Sequence, residues 1–404
     1  MAHEILQEKR NCWKIAKASG VKFLIDGAEY FAALADAFAQ ARDSILIVGW
    51  DFDSRIHLKP DAHGQDAPGD LATMLNSLAE RRPNLHVHIL VWDFAVIFAL
   101  EREAPPVFGS GWQRHPRIHF HMDGNHPVGG SHHEKIVVID DAVAFVGGLD
   151  LAIGRWDTPE HRLRDGRRVD ASGAFLPPHH DVQIAVAGEV AAALGDLVRD
   201  RWSHATGNQL RAPKEQSPQS PTLMSADLKD VAVAIARTAP KHAGQVAVRE
   251  IENLFQDAIA AARRWIYIEN QYLSSAAIGA ALAKRLGEPN GPEVVIVISQ
   301  ASGGWLENAT MDVLRARLVK RLCEADHHRR LRVYSPVIDG AANEVMSIHS
   351  KLLIVDDNFV RVGSANLSKR SMGFDSECDL ALESHGEAKI QQAIGAFRNT
   401  LLAE

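Results

Sequence analysis

The chain has 404 residues, 46% hydrophobic and 24% charged, with a formal net charge of −7. That balance suits a folded globular enzyme with two or three domains' worth of core, and it argues against a nucleic-acid binder working through a broad basic surface. Cys12, Cys323 and Cys378 are odd in number and lack CxxC spacing, which argues against a disulfide framework or zinc ribbon and makes a reducing compartment the default.

The first residues, MAHEILQEKRNCWKIAKAS, carry charges throughout and no apolar core, so no secretory signal is expected. Glu29 to Arg42 reads as a helix, SILIVGWDF (44–52) as a strand, and Leu71 to Arg81 as a second helix. LHVHILVWD (85–93) and RIHFHMD (117–123) are further strands. The most apolar window, Ile89 to Leu100, is broken by Asp93 and is too short to span a bilayer. With no lipidation signal at either end, the expected location is cytoplasmic or peripheral at a membrane.

A stretch rich in Pro, Ser and Gln, residues 207–225, reads as a linker between an N-terminal half (1–206) and a C-terminal half (226–404). The second half repeats the first. Val248 to Ala262 and Thr310 to Glu324 are helical in pattern, and RWIYIENQYL (264–273), EVVIVIS (293–299) and LRVYSPV (331–337) are strand-like. The expected fold is α/β: two similar halves, mixed β-sheet flanked by helices, packed face to face with pseudo-twofold symmetry.

The repeat is sharpest in two near-identical stretches. HEKIVVIDDAVAFVGGLDL runs from His133 to Leu151, and HSKLLIVDDNFVRVGSANL from His349 to Leu367, 216 residues later. Each sets a His and a Lys two apart, then an Asp, a Gly-Gly or Gly-Ser turn, and an Asp or Asn. In an extended segment His133 and Lys135 share a face, while Asp140 lies on the other. Asp140-Asp141 and Asp356-Asp357 read as hairpin turns, so Asp140 and Asp356 are expected to be structural. Paired imidazoles suit a nucleophile and a general acid at a phosphodiester. Lys135 and Lys351 would neutralise the phosphate.

A catalytic imidazole needs an orienting partner on its second nitrogen. Asp181 and Glu377 start the strands that follow the two motifs. Asp181 is expected to orient His133, its neighbour in the same half. Gly147, Gly148, Gly363 and Ser364 are small enough for a close backbone approach to substrate.

The complete pair of motifs resembles the phospholipase D superfamily, the HKD phosphodiesterases. GRWDT (154–158), IENQY (268–272) and Ser368 to Glu377 resemble the phosphatidylcholine-type branch, and the likeness covers roughly residues 20–400. The resemblance implies hydrolysis of a phospholipid to phosphatidic acid and a headgroup alcohol through a phosphohistidine, with transfer to other alcohols as a side path. It also implies that an acidic residue at the place of Asp181 and Glu377 hydrogen-bonds the active-site His. The N-terminal His of the family is usually the nucleophile, which assigns that role to His133 and the acid/base role to His349; the residues alone leave the order open. Asp150 and Asn366 fall where the family has polar groups facing substrate. An ionised Asp150 would repel a phosphate, so it is expected to contact a hydroxyl or a Lys.

Gly148, Ser364 and Trp156 are further candidates for substrate contact, although a buried structural Trp would be equally ordinary. Arg155, Arg162, Arg164, Arg167 and Arg168 form either a basic collar or a solvated loop. Gly303-Gly304-Trp305-Leu306 reads as a membrane-dipping loop or plain core. Gln271, Tyr272, His179 and His180 are weaker pocket candidates. No His pair shows a metal-ligand spacing such as HExxH, so no metal and no cofactor are expected. The expected partner is a phospholipid at a membrane surface, with no nucleic acid and no obligate protein. A cardiolipin-synthase-like transferase is the alternative within the class, and a nuclease the alternative outside it.

Overall fold

The structure is a computed structural model that describes residues 4–61, 69–93, 103, 112–170, 172–214, 221–300, 305–338 and 345–404. The first half runs β1 (Lys14–Ile25), α1 (Asp26–Gln40), β2 (Ser44–Gly49), α2 (Leu71–Arg81), β3 (His86–Trp92), β4 (Ile118–Asp123), β5 (Ile136–Ile139), β6 (Val143–Gly147), β7 (His179–His180), β8 (Val182–Gly188) and α3 (Glu189–Thr206). The second runs α4 (Pro221–Met224), β9 (Val231–Ala239), β10 (Val248–Arg249), α5 (Glu250–Ala261), β11 (Trp265–Asn270), α6 (Ala276–Gly287), β12 (Glu293–Val297), α7 (Trp305–Ala325), β13 (Leu331–Tyr334), β14 (Ser347–Ile348), β15 (Lys351–Val355), β16 (Phe359–Gly363), β17 (Glu377–Glu383) and α8 (Ala388–Ala403).

One mixed sheet crosses both halves, in the order β13-β12-β11-β15-β16-β17-β9-β1-β8-β6-β5-β2-β3-β4. Read outward from the central β9–β1 pair, the two sides match strand for strand. In each, three parallel strands lie outermost and the motif hairpin lies inside them. The α/β expectation with repeated halves is met. The halves are joined edge to edge, not face to face. The reason is β1, which pairs antiparallel with β9 through Lys14–Ala18 and with β8 through Ala18–Ile25, shifting register between Ala18 and Gly20.

Side-chain alternation assigns the layers. Ile45 and Ile47 pack with α1 and α2, while Leu46 and Val48 face α3 and α8. In the second half Ile266 and Ile268 pack with α5 and α6, and Tyr267 turns to the α3/α8 face. The α3/α8 layer straddles the junction, and Phe397 of α8 stacks on Phe23 of β1 with ring centroids 4.2 Å apart. Among the described residues no helix is long and apolar enough to cross a membrane.

The motif hairpins are built alike. Asp140 and Asp141 have φ of 50° and 52°, and Asp356 and Asp357 have 54° and 56°, the paired left-handed conformation of a tight two-residue turn that Asp tolerates. Asp140 accepts from the backbone N–H groups of Arg42, Asp43 and Ser44 at 2.6, 2.8 and 2.6 Å. Asp356 accepts from Arg263, Arg264 and Trp265 at 2.6, 2.7 and 2.8 Å. The second Asp of each turn pairs with an arginine from the α3/α8 layer: Asp141 with Arg199, Asp357 with Arg398. Both motif aspartates therefore satisfy the chain where it enters β2 or β11, and they lie at the opposite end of the hairpin from the His.

Candidate active site

Each motif His and Lys sits where its hairpin strand begins. β5 runs antiparallel to β2, and β15 antiparallel to β11, so both pairs stand at the carboxyl ends of the parallel strands, the usual place for ligands in open α/β sheets. Lys135 Nζ donates to the His133 carbonyl at 3.0 Å, and Lys351 Nζ donates to the His349 carbonyl.

The orienting carboxylates cross between the halves. His133 Nδ1 is 3.0 Å from Glu377 Oε2, and His349 Nδ1 is 2.7 Å from Asp181 Oδ2. The expected pairing of Asp181 with His133 is therefore replaced by Asp181 with His349. The backbone explains the exchange. Strand β7, just before Asp181, pairs in parallel with β14, just before His349, and the N–H of His349 donates to His180 O at 2.8 Å. On the other side the N–H of His133 donates to Ser376 O at 2.9 Å, beside Glu377.

Gly148 and Ser364 serve these carboxylates. A Cβ at Gly148 would lie 2.2 Å from Asp181 Oδ1, so the glycine makes room for that side chain. Ser364, its counterpart, donates its hydroxyl to Glu377 Oε2 at 2.5 Å. At these two positions the close approach is to the orienting acids, while at Gly147 and Gly363 it is to Gln183 and Asp379.

The two lysines are held differently. Lys135 Nζ lies 3.2 Å from Asp150 Oδ2, the Lys contact expected of Asp150, whose other oxygen accepts from Trp50 N at 2.8 Å. Lys351 Nζ donates to the neutral amide oxygen of Gln271 at 3.1 Å. Asn366 is 4% exposed and its Oδ1 has no hydrogen-bond partner.

Burial dominates the electrostatics. Together with Lys135 and Lys351 it pushes the His133 imidazole down to about 3, and with Lys351 and His179 it holds His349 well below the ordinary range. Burial lifts Glu377 to about 8 and Asp181 to about 6. It lowers Lys351 to about 7, with Lys135 adding to the effect. Burial would raise Asp150, but Lys135, Arg155 and His133 outweigh it and leave the carboxyl below its usual value. Both lysines act on both imidazoles, so the two motifs form one electrostatic site.

Of the five arginines read as a basic collar, Arg155 reaches this site: its charge acts on Asp150, Asp181, His349 and Lys351. Arg168 is buried against Asp157, and Arg167 pairs with Asp165 and stacks on Trp156 at 4.5 Å. Trp156 is 7% exposed and lines a separate cavity of about 710 Å³ with Ile56, Lys59 and Arg167. Gly303 and Gly304 lie outside the described residues, as do the side chains of Trp305 and Leu306.

His179 is buried, with its ring centroid 5.2 Å from that of His349 and its Nε2 without a hydrogen-bond partner. His179, Asp181 and His349 converge closely enough to hold a metal ion, but the His349–Asp181 bond already accounts for that convergence. Sequence reasoning missed the layer behind the motifs. His132 Nδ1 lies 2.9 Å from Ser376 Oγ, which donates to Glu134 at 2.6 Å, and Arg201 pairs with both Glu134 and Asp123. Alternation in His132-His133-Glu134-Lys135 was the available signal: the odd positions face the site and the even ones face this network.

The phospholipase D family matches residues 119–281, and the cardiolipin synthase, PLD-like domain family matches residues 255–400. Phospholipase D2 of Bos taurus is 25% identical over 466 residues, covering 89% of this chain and 49% of that protein. Phospholipase D1 of Saccharomyces cerevisiae is 26% identical over 462 residues, covering 89% and 26%. Phospholipase D alpha 1 of Vigna unguiculata is 24% identical over 485 residues, covering 86% and 59%. The chain thus spans less than two thirds of each of these relatives. Among solved structures, phosphatidylserine synthase of Haemophilus influenzae Rd KW20 shares the fold, with a TM-score of 0.65 at 16% identity over 96% of this chain and 87% of that one. With a family match over each motif, relatives along most of its length and this fold, the chain belongs to the phospholipase D superfamily.

Proposed function

We propose that the chain is a phospholipase D that cleaves the distal phosphodiester bond of a glycerophospholipid at a membrane surface, giving phosphatidic acid and a headgroup alcohol. The observation that carries this reading is the crossed arrangement of two neutral, carboxylate-held imidazoles between two lysines. The Nδ1 of His133 faces Glu377, which leaves Nε2 to attack phosphorus. As the P–N bond forms, the P–O bond to the headgroup breaks, and His349 gives its Nε2 proton to the departing oxygen. The incoming phosphodiester anion offsets the burial that keeps His349 neutral in the free site. In the second step His349 takes a proton from water, the water oxygen attacks phosphorus, and the P–N bond breaks. Lys135, Lys351 and Arg155 supply the positive charge around the phosphoryl oxygens.

An alcohol replaces water in that second step without any change of residues. The match to the cardiolipin synthase, PLD-like domain family favours this as the second reading, a phosphatidyltransferase. The test is headgroup release from vesicles of defined phospholipids, with and without added glycerol or phosphatidylglycerol, beside a plasmid-cleavage assay. Headgroup release with no plasmid cleavage is expected, and it should be lost in His133→Ala and His349→Ala. Plasmid cleavage without headgroup release would overturn the proposal. Product formed only when an alcohol is supplied would move it to the transferase reading.

A further inference from the structure

Behind the His349–Asp181 pair lies a second cluster that the proposed reaction does not use. Asp26 opens α1, His161 lies in the loop after the first motif, His180 is in β7, and Glu404 follows α8. Each offers one ligand atom, and these atoms lie within 4.8 Å of one another. Glu404 Oε1 is 2.8 Å from His161 Nε2 and 3.1 Å from His180 Nδ1. Asp26 Oδ1 is 3.0 Å from His180 Nδ1, and Asp26 Oδ2 is 3.6 Å from His161 Nε2. In a tetrahedral site with metal–ligand bonds of about 2.0–2.1 Å, neighbouring ligand atoms stand about 3.3 Å apart. The observed separations bracket that value.

Two further observations point to an ion. Asp26 is fully buried, and its Oδ2 has no hydrogen-bond partner while facing His161. The outward nitrogen of each imidazole is held by a carboxylate: His180 Nε2 by Glu269 at 3.0 Å, and His161 Nδ1 by Asp157 at 2.9 Å. This is how metal-bound histidines are usually oriented, with the far N–H donated to an acid and the near nitrogen left as a lone pair. Those acids have partners of their own, Tyr267 on Glu269 and Arg168 on Asp157.

We infer that Asp26, His161, His180 and Glu404 form a closed structural site for one divalent transition-metal ion, zinc by donor type. Two neutral imidazoles and two carboxylates balance a charge of +2 and fill four positions, the pattern of a structural site rather than a catalytic one. The ion would pin the end of α8 to β7, whose next residue is Asp181. The inference does not rest on the proposed reaction, because the four ligand side chains make no hydrogen bond to a motif His; only the backbone carbonyl of His180 does, accepting from His349 N–H.

Elemental analysis of the purified protein tests it, together with Co²⁺ titration after chelator treatment. One metal per chain is expected, with the visible absorption of tetrahedral Co²⁺ saturating at one equivalent and Zn²⁺ raising the melting temperature by several degrees. Glu404→Gln and His161→Gln should lose the absorption and the thermal shift, while His86→Ala, on a distant strand, keeps both. Two variants at separate ligands guard against a misfolded one. A wild-type protein that neither contains nor takes up metal overturns the site and leaves an ion-paired cluster. Uptake unchanged in both ligand variants overturns it as well.

Discussion

His133 is held by Glu377, a carboxylate 244 residues away in the other half of the chain, with Nδ1 and Oε2 3.0 Å apart. The reciprocal contact joins His349 to Asp181 across 168 residues at 2.7 Å. Each imidazole is oriented by the opposite half, so the site needs both halves joined through the β7–β14 pairing and the His133–Ser376 bond.

The crossing decides which acid serves which step. Glu377→Gln should impair attack by His133, and Asp181→Asn should impair proton delivery by His349, each lowering turnover by about 10²–10⁴ on phospholipid. A p-nitrophenyl phosphodiester needs little help in leaving. Asp181→Asn should therefore recover most of its deficit on that substrate, while Glu377→Gln should not. Equal deficits on both substrates, or the reverse pattern, would refute the assignment.

Burial of Glu377 makes stability depend on pH. Its carboxyl is lifted from about 4.5 in the unfolded chain to about 8 in the folded one. Below pH 4.5 it is protonated in both states and its full contribution to stability is present. From 4.5 to 8 the unfolded chain ionises first, so the folded state loses stability with each rise in pH. Glu377→Gln does not titrate. Its stability relative to wild type should climb by a few kcal/mol between pH 5 and 8 in urea melts. A difference that stays flat or shrinks over that range would show that the carboxyl is not lifted.

The motif aspartates should govern folding, not chemistry. Asp140→Ala leaves three backbone N–H groups at the start of β2 without their acceptor, at a cost of roughly 2–4 kcal/mol. Asp356→Ala should cost about the same at β11. Both variants should melt earlier yet keep near wild-type kcat/KM at low temperature. A 10³-fold loss of kcat/KM in a folded Asp140→Ala protein would place that carboxylate in the reaction.

Local signals made much of this legible in the sequence. The His-Lys pairs, the Asp-Asp turns and the parallel strands are short-range patterns that survive duplication. The two strands that join the halves were not legible. KIAKASGVKFLI carries a Gly and three Lys, and four of the nine residues of VAVAIARTA are Ala; both are strands because β8 and β17 offer them edges, a tertiary cause. The crossing of the acids was hidden for the same reason. Asp181 and Glu377 occupy equivalent places, and the β7–β14 pairing and the His133–Ser376 backbone bond, both long-range, decide which His each one meets. Asp26, His161, His180 and Glu404 have no spacing to recognise, because four separate elements bring them together.

Lys351 differs from Lys135 in facing an amide, Gln271, where Lys135 faces Asp150. Burial, aided by the charge on Lys135, outweighs the opposing pull of Asp181 and Glu377 and lowers Lys351 to about 7. In the free protein it therefore loses its charge as pH rises through neutrality, while a phosphodiester stays anionic. Since kcat/KM reports the free enzyme and kcat the loaded one, kcat/KM should fall above pH 7, approaching tenfold per unit. A bound anion restores the proton, so kcat should hold over the same range. Lys351→Arg keeps its charge at these pH values. Its kcat/KM should be lower than wild type and should not share the wild-type fall between pH 7 and 9. A wild-type profile that is flat there, or an Arg variant that falls with the wild-type slope, would show that the charge on Lys351 does not control capture of the phosphate.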